Sequence, residues 1–375
     1  MKDKILSIAL SVLLSSACLS PLADSLPAKA VPSWSISSNY EVYEEPETEH
    51  GSLKYYIFSD HAVLVCADWD TSELIIPESV NGVPVTVITD DAFWDQVPKH
   101  ISIPSTIEDL GSSLGELESD VTIELSPENK NYINKDNVIY TSDMEKLVRV
   151  SPRFDKEEFT IPDTVITVCG KAFNRCRKIK TVNVPASVAT IGDETFEGCS
   201  LLEAINVDEG NIFYISKDGV LFDKSMTELY QYPVGSKNTS YTVPDSVTRI
   251  CTSAFVNCDG LRTVDFGSSL EIIENSAFAN CDNLNDIVFP ESTREISFNA
   301  FEGCSRLSKI TFSDNIEKVE ATSFSATPWF NAQPDGVIYI GKVLYKVKGK
   351  LAQRSVVTVR EGPVSIADCA FCTED

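Results

Sequence analysis

The sequence predicts an α/β repeat solenoid, rich in β, with a parallel strand ladder and short helical or 3₁₀ turns. Three observations predict it. A Phe-x-x-Cys pair returns in steps of 23 residues: Phe173/Cys176 and Phe196/Cys199, then Phe255/Cys258, Phe278/Cys281 and Phe301/Cys304. Three residues after each cysteine stands an aliphatic residue (Ile179, Leu202, Leu261, Leu284, Leu307) that opens an alternating apolar stretch. A longer segment, YINKDNVIYTSDMEKL from Tyr132, recurs 82 residues later as YISKDGVLFDKSMTEL from Tyr214. Fixed periods of this size are the mark of stacked supersecondary units.

The alternating stretches IKTVNVP, LEAINV, LRTVDF, LNDIVFP and LSKITF read as strands. Alternation sends Val264 and Phe266 inward and Thr263 and Asp265 outward. Proline closes some of them; VNVDEG and VDFGSS lack it. A second extended piece follows, as in PASVATIG, PDSVTRIC and SLEIIE, and then a short helical or 3₁₀ turn that carries Ala-Phe. A unit this short cannot bury its apolar side alone, so copies stack into a parallel sheet with a continuous apolar spine. Phe324 continues the series with Thr327 in the cysteine's place, and Phe93 and Phe371 are outlying members. GSSLGELESDVTIEL, from Gly111, is a degenerate copy.

The 82-residue repeats exceed two simple units by about 36 residues. Lys-Asp-Gly before an apolar run is hairpin chemistry, so these are hairpin-containing long repeats. PDGVIYIGKVLYKVKG, from Pro334, is a third and looser copy, with its hairpin signal in Pro-Asp-Gly.

The organisation expected from this is a signal peptide over 1–30, an acidic disordered leader over 31–50, an N-terminal β-rich cap with degenerate first repeats over 51–125, and the solenoid proper over 126–375. The basic start MKDK, the apolar run Ile5 to Leu19 and Ala28-Lys29-Ala30 have the layout of a secretory signal. A lipoprotein anchor at Cys18 is the alternative. The last repeat stops at AFCTED without its following strand, which reads as truncation. No later run is long and apolar enough to span a bilayer. The net charge of −25 opposes binding to nucleic acid or to an anionic membrane surface.

The signature AFxxCxxLxxVxxP with SVxxIG resembles the BspA-like leucine-rich repeats of bacterial secreted and cell-surface proteins. LKYYIFSDHAVLVCADWDTSELIIPESVNGVPVTVITDDAF resembles the N-terminal unit such proteins carry. The resemblance covers residues 51 to 375. It implies a leucine-rich-repeat horseshoe and a scaffold for adhesion or binding of an extracellular protein or polysaccharide; separately, the chain is expected to be a monomer. A portion of a larger extracellular enzyme or docking protein is the alternative.

Chemistry-bearing residues point away from catalysis. The ladder cysteines read as small buried residues in successive turns, inert as free thiols. Cys169 with Cys176, and Cys251 with Cys258, leave an intra-repeat disulfide open. Cys369-Ala-Phe-Cys372 is formally C-x-x-C, but its middle is the repeat's own Ala-Phe. Three histidines, His50, His61 and His100, all precede the main array, so no Ser-His-Asp or Cys-His set forms within it. Asp68-Trp69-Asp70 lacks the spacing of a calcium loop. No cofactor or metal is expected, and Trp94 and Trp329 read as packing residues. What remains is the outward strand face, concave in such a stack: Thr181, Asn183, Asn206, Thr263, Asp265, Asp286, Lys309 and Thr311. It is small and mixed-polar, with no aromatic stripe.

Overall fold

The computed structural model describes residues 41–44, 51–69, 73–90, 92–93, 98–117, 121–349, 357, 359–361 and 365–372. The expected signal peptide, Cys18 and most of the leader lie outside the described residues.

Each 23-residue turn is built around two parallel ladders. The first ladder takes the alternating stretches. Glu158–Thr160, Thr181–Val184 and Ala204–Val207 form one panel, and Ser240–Thr242, Thr263–Asp265, Asp286–Val288 and Lys309–Thr311 form another. Registers step by one repeat, as in Asp286 opposite Lys309 and Val288 opposite Thr311. The second ladder takes the next extended piece in two-residue strands: Arg249–Ile250, Ile272–Ile273, Glu295–Ile296 and Lys318–Val319. Val264 and Phe266 are buried and Thr263 and Asp265 exposed, as alternation requires.

The third side, carrying Ala-Phe, is not helical. Residues two before and two after the Phe take left-handed backbone angles. Ser276 (φ 53°) and Asn280 (φ 57°) flank Phe278, Asn299 (φ 55°) and Gly303 (φ 72°) flank Phe301, and Lys171 (φ 57°) and Arg175 (φ 62°) flank Phe173. A left-handed residue every fourth position ends any right-handed helix. The corner is a run of β-turns laddered to its neighbour instead: the N–H of Phe278 donates to Ala300 O at 2.7 Å, and that of Phe301 to Ser323 O at 2.7 Å. Among the described residues the helical elements are the 3₁₀ turn Ser113–Glu116 and the α-helix Pro328–Asn331, so the solenoid is built of β-structure. That α-helix explains the missing cysteine. Thr327 is its N-cap, with Oγ1 accepting from the Phe330 N–H at 3.1 Å, and Pro328 sits in its first turn.

Corner phenylalanines stack face to face through the core. Ring centroids lie 4.5 Å apart for Phe255–Phe278, 5.1 Å for Phe278–Phe301 and 5.3 Å for Phe301–Phe324. A second column, Phe266, Phe289 and Phe312, runs beside it from the first ladder and meets the first edge-on. Each buried ring contributes about 1.5–3 kcal/mol of transfer energy.

The expected continuous spine and sheet are interrupted at the long repeats. Tyr132–Lys135 pairs antiparallel with Val138–Thr141, and Tyr214–Lys217 with Val220–Asp223. Their tips are type I′ turns, with Asp136 and Asn137 at φ 54° and 64°, and Asp218 and Gly219 at φ 54° and 80°. The returning strands then cross the core. Val138 and Tyr140 pack into the cluster that follows and Ile139 into the one before; Val220 and Phe222 face forward and Leu221 back. A strand buried on both faces reads as an unbroken apolar run, as in Val138-Ile139-Tyr140 and Val220-Leu221-Phe222. The core is thereby divided into three clusters.

The hairpin at Tyr214–Asp223 also blocks the first ladder. Ile205 N–H donates to Gly219 O at 2.9 Å, so the hairpin tip occupies the edge of Ala204–Val207 where another strand would pair. The position favours glycine: its φ is 80°, and a Cβ on Gly219 would lie 3.1 Å from Ala204 Cα. The second ladder restarts at each of these hairpins: Lys146–Val150 and Glu228–Gln231 pair parallel with the strands after them but antiparallel with the hairpin strand before them, so Thr190–Ile191 ends one sheet and Glu228–Gln231 belongs to the next.

In the third long repeat the turn falls at Gly341-Lys342, between Gly336–Ile340 and Val343–Lys348, not at Pro334-Asp335-Gly336. Pairing of Ile340 with Val343 leaves only two residues for the loop and places Gly336 at the start of the strand. The N-terminal segment follows the same plan, which the sequence concealed. Gly51–Ile57 and Ala62–Trp69 form a hairpin, and Ala62–Trp69 pairs parallel with Val83–Ile88. The Ala67 N–H donates to Ala92 O, just as Val150, Tyr232 and Val347 donate to Ala172, Ala254 and Ala370. Glu73–Ile75, His100–Ile103 and Thr122–Leu125 make a first-ladder panel of their own, and the last of these comes from the degenerate Gly111 copy. Residues 41–44, expected within a disordered leader, form a strand against Gly51–Ile57, because Val42 and Tyr43 extend the alternation of that hairpin.

Candidate binding face

The outward positions of the first ladder divide between two panels, because the hairpin at Tyr214–Asp223 separates the strands that carry them. Thr181, Asn183 and Asn206 share the first panel. Their side chains are tied along the stack: Asn206 Nδ2 donates to Asn183 Oδ1 at 3.0 Å, and Asn183 Nδ2 to Glu158 Oε1 at 2.6 Å and Thr160 Oγ1 at 3.1 Å. Thr263, Asp265, Asp286, Lys309 and Thr311 share the second panel, all exposed. Here Lys309 Nζ lies 3.9 Å from Asp286 Oδ2, between side chains more than half exposed, and such a pair is worth about 0.2–1 kcal/mol. Val288, 63% exposed, lies among them opposite Thr311. One panel is thus braced by amide bonds, while the other presents unbraced polar groups around one apolar residue.

Two further features escaped the sequence. A shallow cleft of about 720 Å³ opens between the first hairpin and the edge strand Glu158–Thr160, lined by Lys135, Tyr140, Phe154, Lys156 and Phe159 among others. No spacing signals it, since it forms where the first ladder restarts. The second ladder carries a row of alternating charge: Arg249 Nη1 meets Glu274 Oε1 at 2.5 Å, and Lys318 Nζ meets Glu295 Oε1 at 2.7 Å and Glu320 Oε1 at 3.1 Å. These residues stood in strands read only for their apolar members.

The ladder cysteines are buried and aimed at the backbone of the preceding turn. Cys199, Cys281 and Cys304 donate their thiols to the carbonyls of Phe173, Phe255 and Phe278 at 3.0, 3.1 and 3.1 Å. Burial pushes the Cys176 thiol up to about 12 and raises those of Cys199, Cys258 and Cys281 too, so they are neutral and unreactive. All ten described cysteines are free thiols, Cys169 and Cys251 included.

His61 stacks on Phe58 at 4.6 Å and holds Asp60 at 2.7 Å, which lowers the Asp60 carboxyl. The His100 Nε2 lies 3.4 Å from Ser102 Oγ and 3.2 Å from Glu124 Oε2. Both partners address one ring nitrogen, whereas a catalytic triad uses opposite nitrogens for the hydroxyl and the carboxylate. This is a contact along the ladder. His50, Asp70 and Trp94 lie outside the described residues. Trp329 packs on Phe312 and Phe324 at 5.1 and 5.4 Å. Among the described residues no group of acidic, histidine or cysteine side chains is arranged to hold a metal, and no helix is long and apolar enough to cross a membrane.

Residues 154–229 and 232–345 match the family model of the BspA type leucine rich repeat region, in six copies. Among solved structures, the pneumococcal vaccine antigen PcpA is similar at 22% identity and a TM-score of 0.43, over 74% of this chain and 77% of that one. A leucine rich cell surface protein from Faecalibacterium prausnitzii is similar at 21% identity and a TM-score of 0.38, over 78% and 94%. A leucine-rich repeat protein from Bacteroides ovatus is similar at 18% identity and a TM-score of 0.27, over 76% and 91%. A search of the curated proteins found no match. With more than half of its length matched by the family model, and with two parallel ladders stacked at the 23-residue step, the chain belongs to the BspA type leucine rich repeat family.

Proposed function

We propose that the chain is a secreted or cell-surface, non-catalytic scaffold that binds an extracellular macromolecule, protein or polysaccharide, as a monomer. Its binding surface is the second panel of the first ladder. The observation that carries this reading is the exposure of Thr263, Asp265, Asp286, Lys309 and Thr311 on four paired strands, around the exposed apolar Val288. These side chains contribute little to the core beneath them, so the face is open to variation without cost to the fold. A surface of small polar groups with an apolar centre suits contact with another folded surface. The first panel, with Thr181, Asn183 and Asn206 already bonded along the stack, offers fewer uncommitted groups. The net charge of −25 favours partners other than nucleic acid.

The test is a screen of the purified chain against arrays of glycans and extracellular matrix proteins. Any partner found is then titrated with the quadruple variant Thr263→Ala, Asp265→Ala, Asp286→Ala and Lys309→Ala. Loss of binding with unchanged thermal stability supports the second panel. Binding that survives the four substitutions moves the surface elsewhere, with the cleft beside Glu158–Thr160 the next place to probe.

A further inference from the structure

The described cysteines fall into two populations. Cys176, Cys199, Cys258, Cys281 and Cys304 are buried and Cys66, Cys169 and Cys251 half-buried, whereas Cys369 and Cys372 are exposed. The exposed two stand at the first and last positions of an Ala-Phe corner, with the Cys372 N–H donating to Cys369 O at 3.0 Å. Every corner closes this way. The matching bonds run from Asn174 to Lys171, from Ala279 to Ser276 and from Glu302 to Asn299, at 2.9 to 3.0 Å. Cys369 takes the same left-handed angle, φ 54°, as Ser276 and Asn299 in that position. The geometry of the pair is therefore imposed by the repeat and does not depend on sulfur chemistry.

That geometry brings two sulfurs together. A hydrogen-bonded β-turn holds its end Cα atoms less than about 7 Å apart, and a disulfide requires roughly 4.4–6.8 Å. The side chains act on each other, the Cys372 thiol raising that of Cys369. The turn is anchored from beneath by buried Ala370, whose carbonyl accepts from the Val347 N–H at 2.7 Å, while Phe371 is 46% exposed and leaves the sulfurs uncovered. Lys346 Nζ lies 3.4 Å from Cys369 O, placing a cation beside the pair. Its positive charge works against the rise that the Cys372 thiol imposes on Cys369, and so eases formation of the thiolate that attacks disulfides.

We infer that Cys369 and Cys372 form a reversible disulfide site, oxidised by small organic disulfides. The thiolate of one cysteine attacks RSSR; that S–S bond breaks, a mixed disulfide forms, and RS⁻ leaves to take up a proton. The second cysteine, deprotonated, attacks the protein sulfur of the mixed disulfide, closes the Cys369–Cys372 bond and releases the second RSH. Two electrons and two protons pass from the pair to the organic disulfide, and excess thiol reverses the sequence.

The test uses the full native chain incubated with oxidised glutathione, quenched with N-ethylmaleimide and mapped by mass spectrometry. The expected result is a Cys369–Cys372 linked peptide, loss of those two thiols from alkylation, and recovery of both on adding excess reduced glutathione. Cys176, Cys199, Cys258, Cys281 and Cys304 remain free thiols throughout. Cys369→Ser and Cys372→Ser should each trap a glutathione adduct on the remaining sulfur, since no neighbour is left to resolve it. Stable glutathione adducts on both cysteines of the unsubstituted chain would overturn the proposal, as would pairing of either cysteine with Cys66 or with a second chain.

Discussion

Two kinds of turn share this solenoid, and they treat the core in opposite ways. Between Ser240 and Thr327 the turns are simple. Both ladders run on, the phenylalanines stack in two columns, and exposed side chains line up on one panel. The hairpin units interrupt both ladders and restart the second on their own last strand. Val138–Tyr140 and Val220–Phe222 pass through the interior with alternate residues in different clusters, and the tip at Gly219 closes off the first ladder. Simple turns thus lengthen a surface, and hairpin units end one surface and begin the next. The chain uses its long repeats as partitions, which is why the exposed polar positions fall on separate panels.

The largest expected effect breaks a simple turn. Phe278→Ala removes a fully buried ring between Phe255 and Phe301 and should destabilise by about 3–5 kcal/mol, whereas Phe298→Ala, at a ring 50% exposed, should cost about 0.5 kcal/mol or less. Urea denaturation compares them; equal midpoints would refute the stacked column. Next comes the partition. Gly219→Val puts a β-branched residue at φ 80° with its Cβ against Ala204, and should cost at least about 2 kcal/mol. If hydrogen exchange shows no loss of protection around Ile205, the hairpin tip does not seal that panel.

A third effect is a pH dependence from the ladder thiols. Burial raises Cys176 from 9.0 to about 12, so the folded chain holds a proton that the unfolded chain gives up. Its contribution is fully present below about pH 9 and is lost as pH rises toward 12, at about 1.4 kcal/mol per pH unit. Melts between pH 8 and 11, outside this range of loss only at their lower end, should therefore fall steadily, and Cys176→Ala should flatten the slope; an unchanged slope would assign the loss to other groups. The smallest effect is on the open panel. Lys309→Ala should change stability by no more than about 0.5 kcal/mol, since the pair with Asp286 is long and exposed.

Much of this was legible in the residues. The 23-residue return of Phe and Cys locates every corner between Phe173 and Phe301, and alternation names the buried and exposed members of each first-ladder strand. The unbroken runs Val138-Ile139-Tyr140 and Val220-Leu221-Phe222 already announce strands buried on both faces. Other features were misread for local reasons. Ala-Phe between polar residues resembles a short helix, and the signal against it, Asn or Gly two residues after the Phe as in Gly198, Asn257, Asn280 and Gly303, went unread. The N-terminal hairpin was hidden because its strands share no motif with the long repeats, although its Ala67–Ala92 bond ends on the Ala-Phe of a corner. The candidate face was legible residue by residue, but its division was not.

By itself, then, the sequence determined the repeat, its period, its inward positions and the family, because each of these is a property of one unit copied along the chain. The tertiary structure alone decided where the first ladder stops and which exposed residues share a panel. These depend on what the neighbouring turn places against a strand edge or a corner. A backbone edge is either paired or blocked by atoms from a distant segment, and that is settled only when the turns stack.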